Sequence, residues 1–555
     1  MKMAKRLLLG SAAGLVAVGG AQSAELPAKA APVQYVKICT LYGEGFYYIP
    51  GSDTCLKFGG YVRAEYGWNG AQAKDPGYSG TMGAADRTVS QLATRHRAAL
   101  QVDTRTQTDY GTLRTFISIF ASQQDATFSN NVQRAFIQWS GFTFGHAQSF
   151  QDTWAITDAY KYATNHNNND TGANGINQIA YTWELGNGMT LTAGADEVRR
   201  KTLINFANTA AIRVGAEAAN SYRGQEWPDS HLDFKVNQEW GYYALSGVVH
   251  DVAATYYDCQ PSTNAAFTGT LPPLDVCGTP KDRVGWQIAT GAEIKLDFIS
   301  PGDHGGMGVR YAQGASAFGA GNSLNSPDLF DGAGNVAVGW MSDGVYFGHC
   351  ANDIGIQTGT FTGLPPSTTA TPAPLARCGA DATQIQLTTT WTVEAAYEHY
   401  WTPQLKTSWS GGYTQILYNN QAKNLWANAV CQTPVTATQT IPGNTFTSTV
   451  INAGFNSVGS SFCDPDWGFL QYGTRTQWSP IPGFYMGLDL WGVHIFSAFK
   501  GATAFLSNTN VSGTSGAVTV TQPIVGARPA GFYHILDENI FGATFRVQRQ
   551  FNAAD

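Results

Sequence analysis

From Trp286 to Phe298 two kinds of residue alternate without a break. Trp286, Ile288, Thr290, Ala292, Ile294, Leu296 and Phe298 hold one set of positions, and Gln287, Ala289, Gly291, Glu293, Lys295 and Asp297 the other. A period of two puts these sets on opposite faces of a β-strand. One face is apolar and the other carries charge. The length suits a tilted strand crossing a bilayer, about ten residues.

The pattern recurs along the chain. Ala98, Leu100 and Val102 alternate with Arg97, Gln101, Asp103 and Arg105; Ile179, Tyr181, Trp183 and Leu185 with Thr182 and Glu184; Leu232, Phe234 and Val236 with Asp233, Lys235 and Asn237; Val393, Ala395 and Tyr397 with Glu394 and Glu398; Phe545, Val547 and Phe551 with Arg546, Gln548 and Gln550. Helical periodicity is scarce. About sixteen strands are expected: 56–68, 94–106, 111–122, 131–140, 142–148, 177–185, 188–198, 230–238, 241–251, 283–298, 306–315, 387–401, 405–417, 468–478, 484–497 and 537–551. Short turns, such as Gly186-Asn187-Gly188 and Pro301-Gly302-Asp303, alternate with long polar connections at 69–93, 199–229, 252–282, 316–385, 418–467 and 498–536. Short turns at one end and long loops at the other describe an outer-membrane barrel.

Composition excludes the competing classes. Charged residues are 13% of the chain, against about 25% in soluble domains. Aromatics reach 12%, too many for a disordered chain. The longest apolar stretch is Leu7 to Val18, short of the ~20 residues a spanning helix needs. The net charge of -7 is unlike that of a nucleic-acid binder. A secreted β-sandwich or propeller also alternates. However, charge opposite the apolar face on nearly every strand means a polar face that is wet throughout. Tyr66, Trp68, Tyr110, Trp139, Trp240, Trp401, Tyr418 and Trp478 gather near strand ends, as in an interfacial girdle. The fold class is therefore all-β, a transmembrane antiparallel β-barrel of about sixteen strands with short periplasmic turns and long extracellular loops.

Lys2, Lys5 and Arg6, then the apolar run Leu7 to Val18, then Ala21-Gln22-Ser23-Ala24 read as a secretory signal peptide over residues 1–24. Eight cysteines fall into four consecutive pairs, Cys39/Cys55, Cys259/Cys277, Cys350/Cys378 and Cys431/Cys463, each a candidate disulfide of an exported chain. Connectivity is not fixed by sequence, and nearest-neighbour pairing is the favoured reading. The remaining organisation is an N-terminal periplasmic segment at 25–55, a barrel at 56–551 and a short extension at 552–555.

The segment Tyr35-Val-Lys-Ile-Cys-Thr-Leu-Tyr-Gly-Glu-Gly-Phe-Tyr-Tyr-Ile-Pro-Gly-Ser-Asp-Thr-Cys-Leu-Lys-Phe-Gly-Gly-Tyr-Val-Arg63 resembles the opening signature of the alphaproteobacterial (Rhizobiales-type) general porins. Arg134-Ala-Phe-Ile-Gln-Trp-Ser-Gly-Phe-Thr-Phe-Gly-His-Ala-Gln-Ser149 and the stretch from Gly285 to Asp303 resemble the same family. The resemblance implies a passive diffusion channel of the bacterial outer membrane, a homotrimer among outer-membrane lipid and lipopolysaccharide. His146 stands where the family usually carries an arginine. The chain ends Phe551-Asn-Ala-Ala-Asp555, where such porins usually end on the aromatic residue.

In porins of this type a long loop folds into the lumen, here expected at about 149–176. It offers Asp152, Asp158 and Asp170, with Lys161 between them. By strand parity Arg97, Arg105, Arg114 and Arg134 face inward from successive strands as a basic wall, with Asp103 the obvious wall partner of Arg97 or Arg105. Acids and bases opposed across a narrow aqueous gap would set a transverse field that favours polar solutes. No cofactor, metal site or nucleic-acid partner is expected. The scattered His lack metal spacing, and neither H-E-x-x-H nor G-x-S-x-G occurs, so the chain does not read as an enzyme. The function expected is diffusion of small hydrophilic solutes and ions, with a mild cation preference from the acidity of the chain. A selective channel would need a ladder of like charges or aromatics along the lumen. An adhesin or receptor using disulfide-closed loops is the alternative.

Overall fold

The computed structural model describes residues 37–69, 90–154, 159–163, 171, 175–206, 220–257, 279–321, 328–330, 334–347, 383–427, 435–441, 444–450, 463–506, 517–520 and 531–552. Among these, sixteen antiparallel strands close a barrel. They are β1 (Cys55–Trp68), β2 (Leu92–Thr108), β3 (Gly111–Gln124), β4 (Thr127–Trp139), β5 (Phe142–Ala147), β6 (Ile176–Gly186), β7 (Met189–Asp196), β8 (Asp229–Gln238), β9 (Gly241–Val252), β10 (Arg283–Lys295), β11 (His304–Gln313), β12 (Thr389–Thr402), β13 (Leu405–Leu417), β14 (Trp467–Ile481), β15 (Phe484–Phe496) and β16 (Glu538–Phe551). Each pairs with its neighbours in chain order. β16 returns to β1 in a register running from Gly60↔Phe551 to Trp68↔Ala543. Closure leaves no free edge, so backbone polar groups are satisfied inside the sheet, as hydrocarbon requires.

The alternation anticipated from sequence sets which face is which. Val62, Tyr66, Leu100, Ile117, Ile288 and Leu488 are exposed on the outside, whereas Arg63, Glu65, Arg97, Asp103, Arg310 and Arg475 are buried within. This inverts a soluble core, because the outer solvent is lipid and the inner one water. The expected strands agree with those observed to within a few residues. The strand expected to run to Phe298 ends at Lys295, because Leu296 N–H turns to Asp303 O at 2.7 Å and begins the β10–β11 turn. Asn187 and Gly188 both adopt positive φ (51° and 70°), the left-handed pair that a two-residue hairpin demands between β6 and β7.

Two additions flank the barrel. At the short-turn end, Cys39 and Cys55 are disulfide-bonded and bury Phe46, and Tyr47–Tyr48 pairs with Cys55 and Leu56. At the opposite end the long connections fold on one another. Ser342–Tyr346 runs parallel to Thr202–Asn205, and Asn335–Val338 runs parallel to Gly531–Ile535. Beneath them Trp340, Trp426, Trp467 and Phe499 form an aromatic core that their Gly- and Thr-rich surroundings do not announce. No helix among the described residues is long and apolar enough to cross a membrane.

Candidate pore constriction

The chain leaves β5 at Ala147 and re-enters the wall at Ile176, and of the residues between, 148–154, 159–163, 171 and 175 are described. The loop starts on the β7–β8 wall. Ser149 Oγ bonds Asp196, and Ser149 N–H donates to Thr171 Oγ1 at 2.9 Å. Asp152 is buried; its carboxylate accepts from Thr171 N–H at 2.7 Å and faces Arg199 Nη1 at 3.6 Å. Burial lifts the Asp152 carboxyl above the usual carboxylate range, against the pull of Arg199, Thr171 and Lys235.

The loop then docks against β10 and β11. Trp154 Nε1 and Tyr160 OH both donate to Glu293 Oε2, at 3.1 and 2.8 Å. The indole lies on a glycine floor: a Cβ on Gly291 would stand 2.6 Å from Trp154 Cβ, and one on Gly306 would stand 2.8 Å from Trp154 Cζ2. Further on, the backbone is held by β13–β16. Ser408 Oγ donates to Tyr160 O at 2.6 Å, and Arg475 reaches Ala159 O. Tyr162 and Ala163 N–H both donate to Asp489 Oδ2, at 2.6 and 2.9 Å. The Tyr162 ring sits under the Arg546 and Arg475 guanidiniums, 4.3 and 5.1 Å from its centroid. Lys161 is buried between Glu394 and Asp489, whose charges it feels.

The four arginines read from parity lie on β2, β3 and β4. Arg105 and Arg114 are directly opposite across the β2–β3 pair and share Asp103, at 2.8 and 2.9 Å. Arg97 Nε donates to Ser122 Oγ at 2.7 Å, and its guanidinium lies 3.8 Å from the Phe120 centroid. Arg134 Nη1 donates to Gln133 O at 2.7 Å and borders Gly175, where the inward loop returns. The structure thus brings the four bases onto one stretch of wall. Asp152 is placed elsewhere, beside Arg199, and Asp158 and Asp170 lie outside the described residues.

Several charged groups were not singled out from sequence. Glu65 bridges Arg95 on β2, Nε to Oε2 at 2.5 Å, and Arg546 on β16 at 2.7 Å. Glu394 pairs with Arg310, and Glu398 with Arg475 at 2.5 Å and Lys406 at 2.7 Å. All sit at inward positions of the same alternation, so parity could have found them; which carboxylate serves which arginine needs the register. At the long-loop end Asp343 accepts from Lys201 N–H and Ser316 N–H, both at 2.7 Å, and from Tyr222 OH at 2.9 Å. Its complete burial still raises its carboxyl above the usual range. Of the other cysteines, Cys463 is disulfide-bonded, and Cys259, Cys277, Cys350, Cys378 and Cys431 lie outside the described residues.

Comparison with known proteins gives the same picture. Residues 23–500 match the family described as the Porin subfamily. Porin Omp2b of Brucella suis is 35% identical over 206 residues, 35% of this chain and 52% of that one. Porin Omp2b of Brucella abortus (strain 2308) is 34% identical over 266 residues, 44% of this chain and 65% of that one. The chain therefore spans between half and two thirds of the length of these curated relatives. The crystal structure of the outer membrane channel DcaP of Acinetobacter baumannii is similar in fold, with a TM-score of 0.51, 11% identity, and 91% of this chain and 99% of that one covered.

Proposed function

The chain belongs to the porin family, and from that premise we propose that it forms a passive, water-filled channel of the bacterial outer membrane for small hydrophilic solutes and ions. One observation carries the reading: residues 149–154 and 159–163 are tied to inward side chains of the wall, on β7 at one limb and on β10 and β13–β16 at the other. A sixteen-stranded barrel is wide enough for an aqueous lumen. A segment pinned against the inner wall in this way narrows that lumen.

In this reading Arg97, Arg105, Arg114 and Arg134 form the basic side of the constriction, and Asp152 and Asp158 belong to the loop. The barrel occupies residues 56–551, follows a cleaved signal peptide at 1–24, and carries the periplasmic segment 25–55 and the extension 552–555. It sits in outer-membrane lipid and lipopolysaccharide as a homotrimer. The cysteine pairs Cys259/Cys277, Cys350/Cys378 and Cys431/Cys463 close extracellular loops. Family membership makes this a channel rather than an enzyme.

The test is single-channel recording of purified protein in a planar bilayer. Stable current steps proportional to salt concentration are expected, closing in threes for a trimer. Folded, heat-modifiable protein that passes no current would overturn the reading.

A further inference from the structure

The connection between β11 and β12 also packs on the inner wall. Just past the end of β11 the chain makes the single helical turn Ser316–Gly319, and Ala315 to Ala320 are fully buried. The wall residues they meet point inward: Val248, Ala312 and Thr392 are buried, whereas their strand neighbours Val249, Tyr311 and Val393 are exposed on the outside. Ala315 and Phe318 share one apolar cluster with Val248 of β9 and Ala312 of β11, and the His250 ring of β9 lies 6.1 Å from that of Phe318. Thr392 Oγ1 of β12 donates to Gly319 O at 2.7 Å. A Cβ on Gly319 would stand 2.9 Å from Ala312 Cβ, so glycine is what lets the backbone lie this close to the sheet.

The strand Ser342–Tyr346 holds the same segment. Ser316 N–H donates to Asp343 Oδ1 at 2.7 Å and Ser316 Oγ to Ser342 O at 2.6 Å. Thr388 N–H, at the head of β12, donates to Asp343 O at 3.1 Å, which ties that strand to the barrel rim.

The two inward segments stand at different heights on one wall. Trp154 of the first lies against Gly306 and Gly308 of β11, and the second lies against Ala312. Ala312 follows Gly308 along β11 toward the long-loop end, a step of roughly 13 Å. Arg199 spans the step: Nη1 is 3.6 Å from Asp152 of the first segment, and its guanidinium is 4.9 Å from the Phe318 centroid of the second.

We infer that the pore has two narrowings in series, and that residues 315–320 form the outer one, which sets the size of solute admitted from the long-loop side. The inference rests on the channel reading above. With a second narrowing, a solute offered from either side meets the nearer segment first, so each mouth has its own size limit.

The experiment is polymer exclusion in a planar bilayer. The full-length barrel is inserted from one chamber, and graded polyethylene glycols are added to one chamber at a time; a polymer that enters the pore lowers its current. The variants are a deletion of 315–320 closed by two glycines, Thr392→Val, which removes the hydroxyl bonded to Gly319 O, and Trp154→Ala on the first segment. Each is checked for heat-modifiable folding. The deletion should raise the size limit on the long-loop side and leave the limit on the short-turn side unchanged. Thr392→Val should shift the same limit by less, and it decides alone if the deletion does not fold. Trp154→Ala should raise the short-turn limit only. An unchanged long-loop limit in the folded deletion or in Thr392→Val, or an equal shift of both limits, would overturn the inference and leave the channel intact. Wild type that passes no current would overturn both.

Discussion

The indole N–H of Trp154 donates to Glu293 Oε2 at 3.1 Å, joining the inward loop to β10 across 139 residues of sequence. Tyr160 OH donates to the same oxygen at 2.8 Å, so one carboxylate fastens the loop at two points. Glu293 thus clasps Trp154 and Tyr160 to the inner wall.

Replacing Glu293 by Ala should loosen that clasp while leaving the barrel closed. Two buried donors lose their acceptor, at about 1–3 kcal/mol each. Larger current noise and a red-shifted Trp emission are expected, with the gel mobility of the folded form kept. Quiet, wild-type currents from Glu293→Ala would show that the contact does not hold the loop.

A side chain on Gly291 should expel Trp154 from its seat. The new Cβ would stand 2.6 Å from Trp154 Cβ, closer than real carbons approach. Overpacking of this kind costs about 1–3 kcal/mol. Gly291→Ala should raise single-channel conductance, and Trp154→Ala in the same chain should add little, because both act on one contact. Fully additive effects on conductance would separate the two residues.

Acid should weaken the periplasmic turn that carries Asp303. Burial disfavours its charge, but Tyr397 OH at 2.6 Å, Tyr400 N–H at 2.8 Å and His399 Nδ1 at 2.8 Å more than compensate and hold its carboxyl below the usual range. A lowered folded value gives stability that is present above the unfolded value, about 3.9, and lost as pH falls through the folded one. The temperature at which the heat-modifiable form unfolds should therefore drop below about pH 4 in wild type. Asp303→Asn should start lower at neutral pH and lose less on acidification. Parallel curves for the two proteins would exclude this contribution.

The Cys39–Cys55 bridge closes a stretch of 16 residues around Phe46. Chain-entropy arguments put its contribution near 3 kcal/mol. Cys39→Ser with Cys55→Ser should open the segment before β1 to protease while the barrel resists. Arg105 should lose order too, since its guanidinium lies 4.9 Å from the Phe46 centroid. Equal protease resistance with and without the bridge would count against this role.

How much of this was legible beforehand depends on the distance over which each feature is decided. The strands were readable because a strand that faces lipid and water writes its own period. β10 announces itself in Trp286, Ile288 and Ile294 against Gln287, Glu293 and Lys295. The inward direction of Arg97, Arg105, Arg114 and Arg134 follows from the same parity. Asp152 shows the limit. As a loop acid it was expected to face those arginines, yet it is buried beside Arg199 from the β7–β8 connection.

The loop core shows it again. Trp340 comes from the β11–β12 connection, Trp426 from the β13–β14 connection and Trp467 from the start of β14, and none carries a period that tells of the others.

The sequence by itself determined the barrel, its strand number, its inside and its outside, because alternation between two solvents is a local property repeated at every strand. Tertiary structure decided which side chains meet inside the barrel. Glu293 meets Trp154, Asp489 meets Tyr162 and Glu65 meets Arg546 only after the sheet has closed. Those pairings depend on register and on the path of a loop across the lumen, and neither is written in the spacing of any one segment.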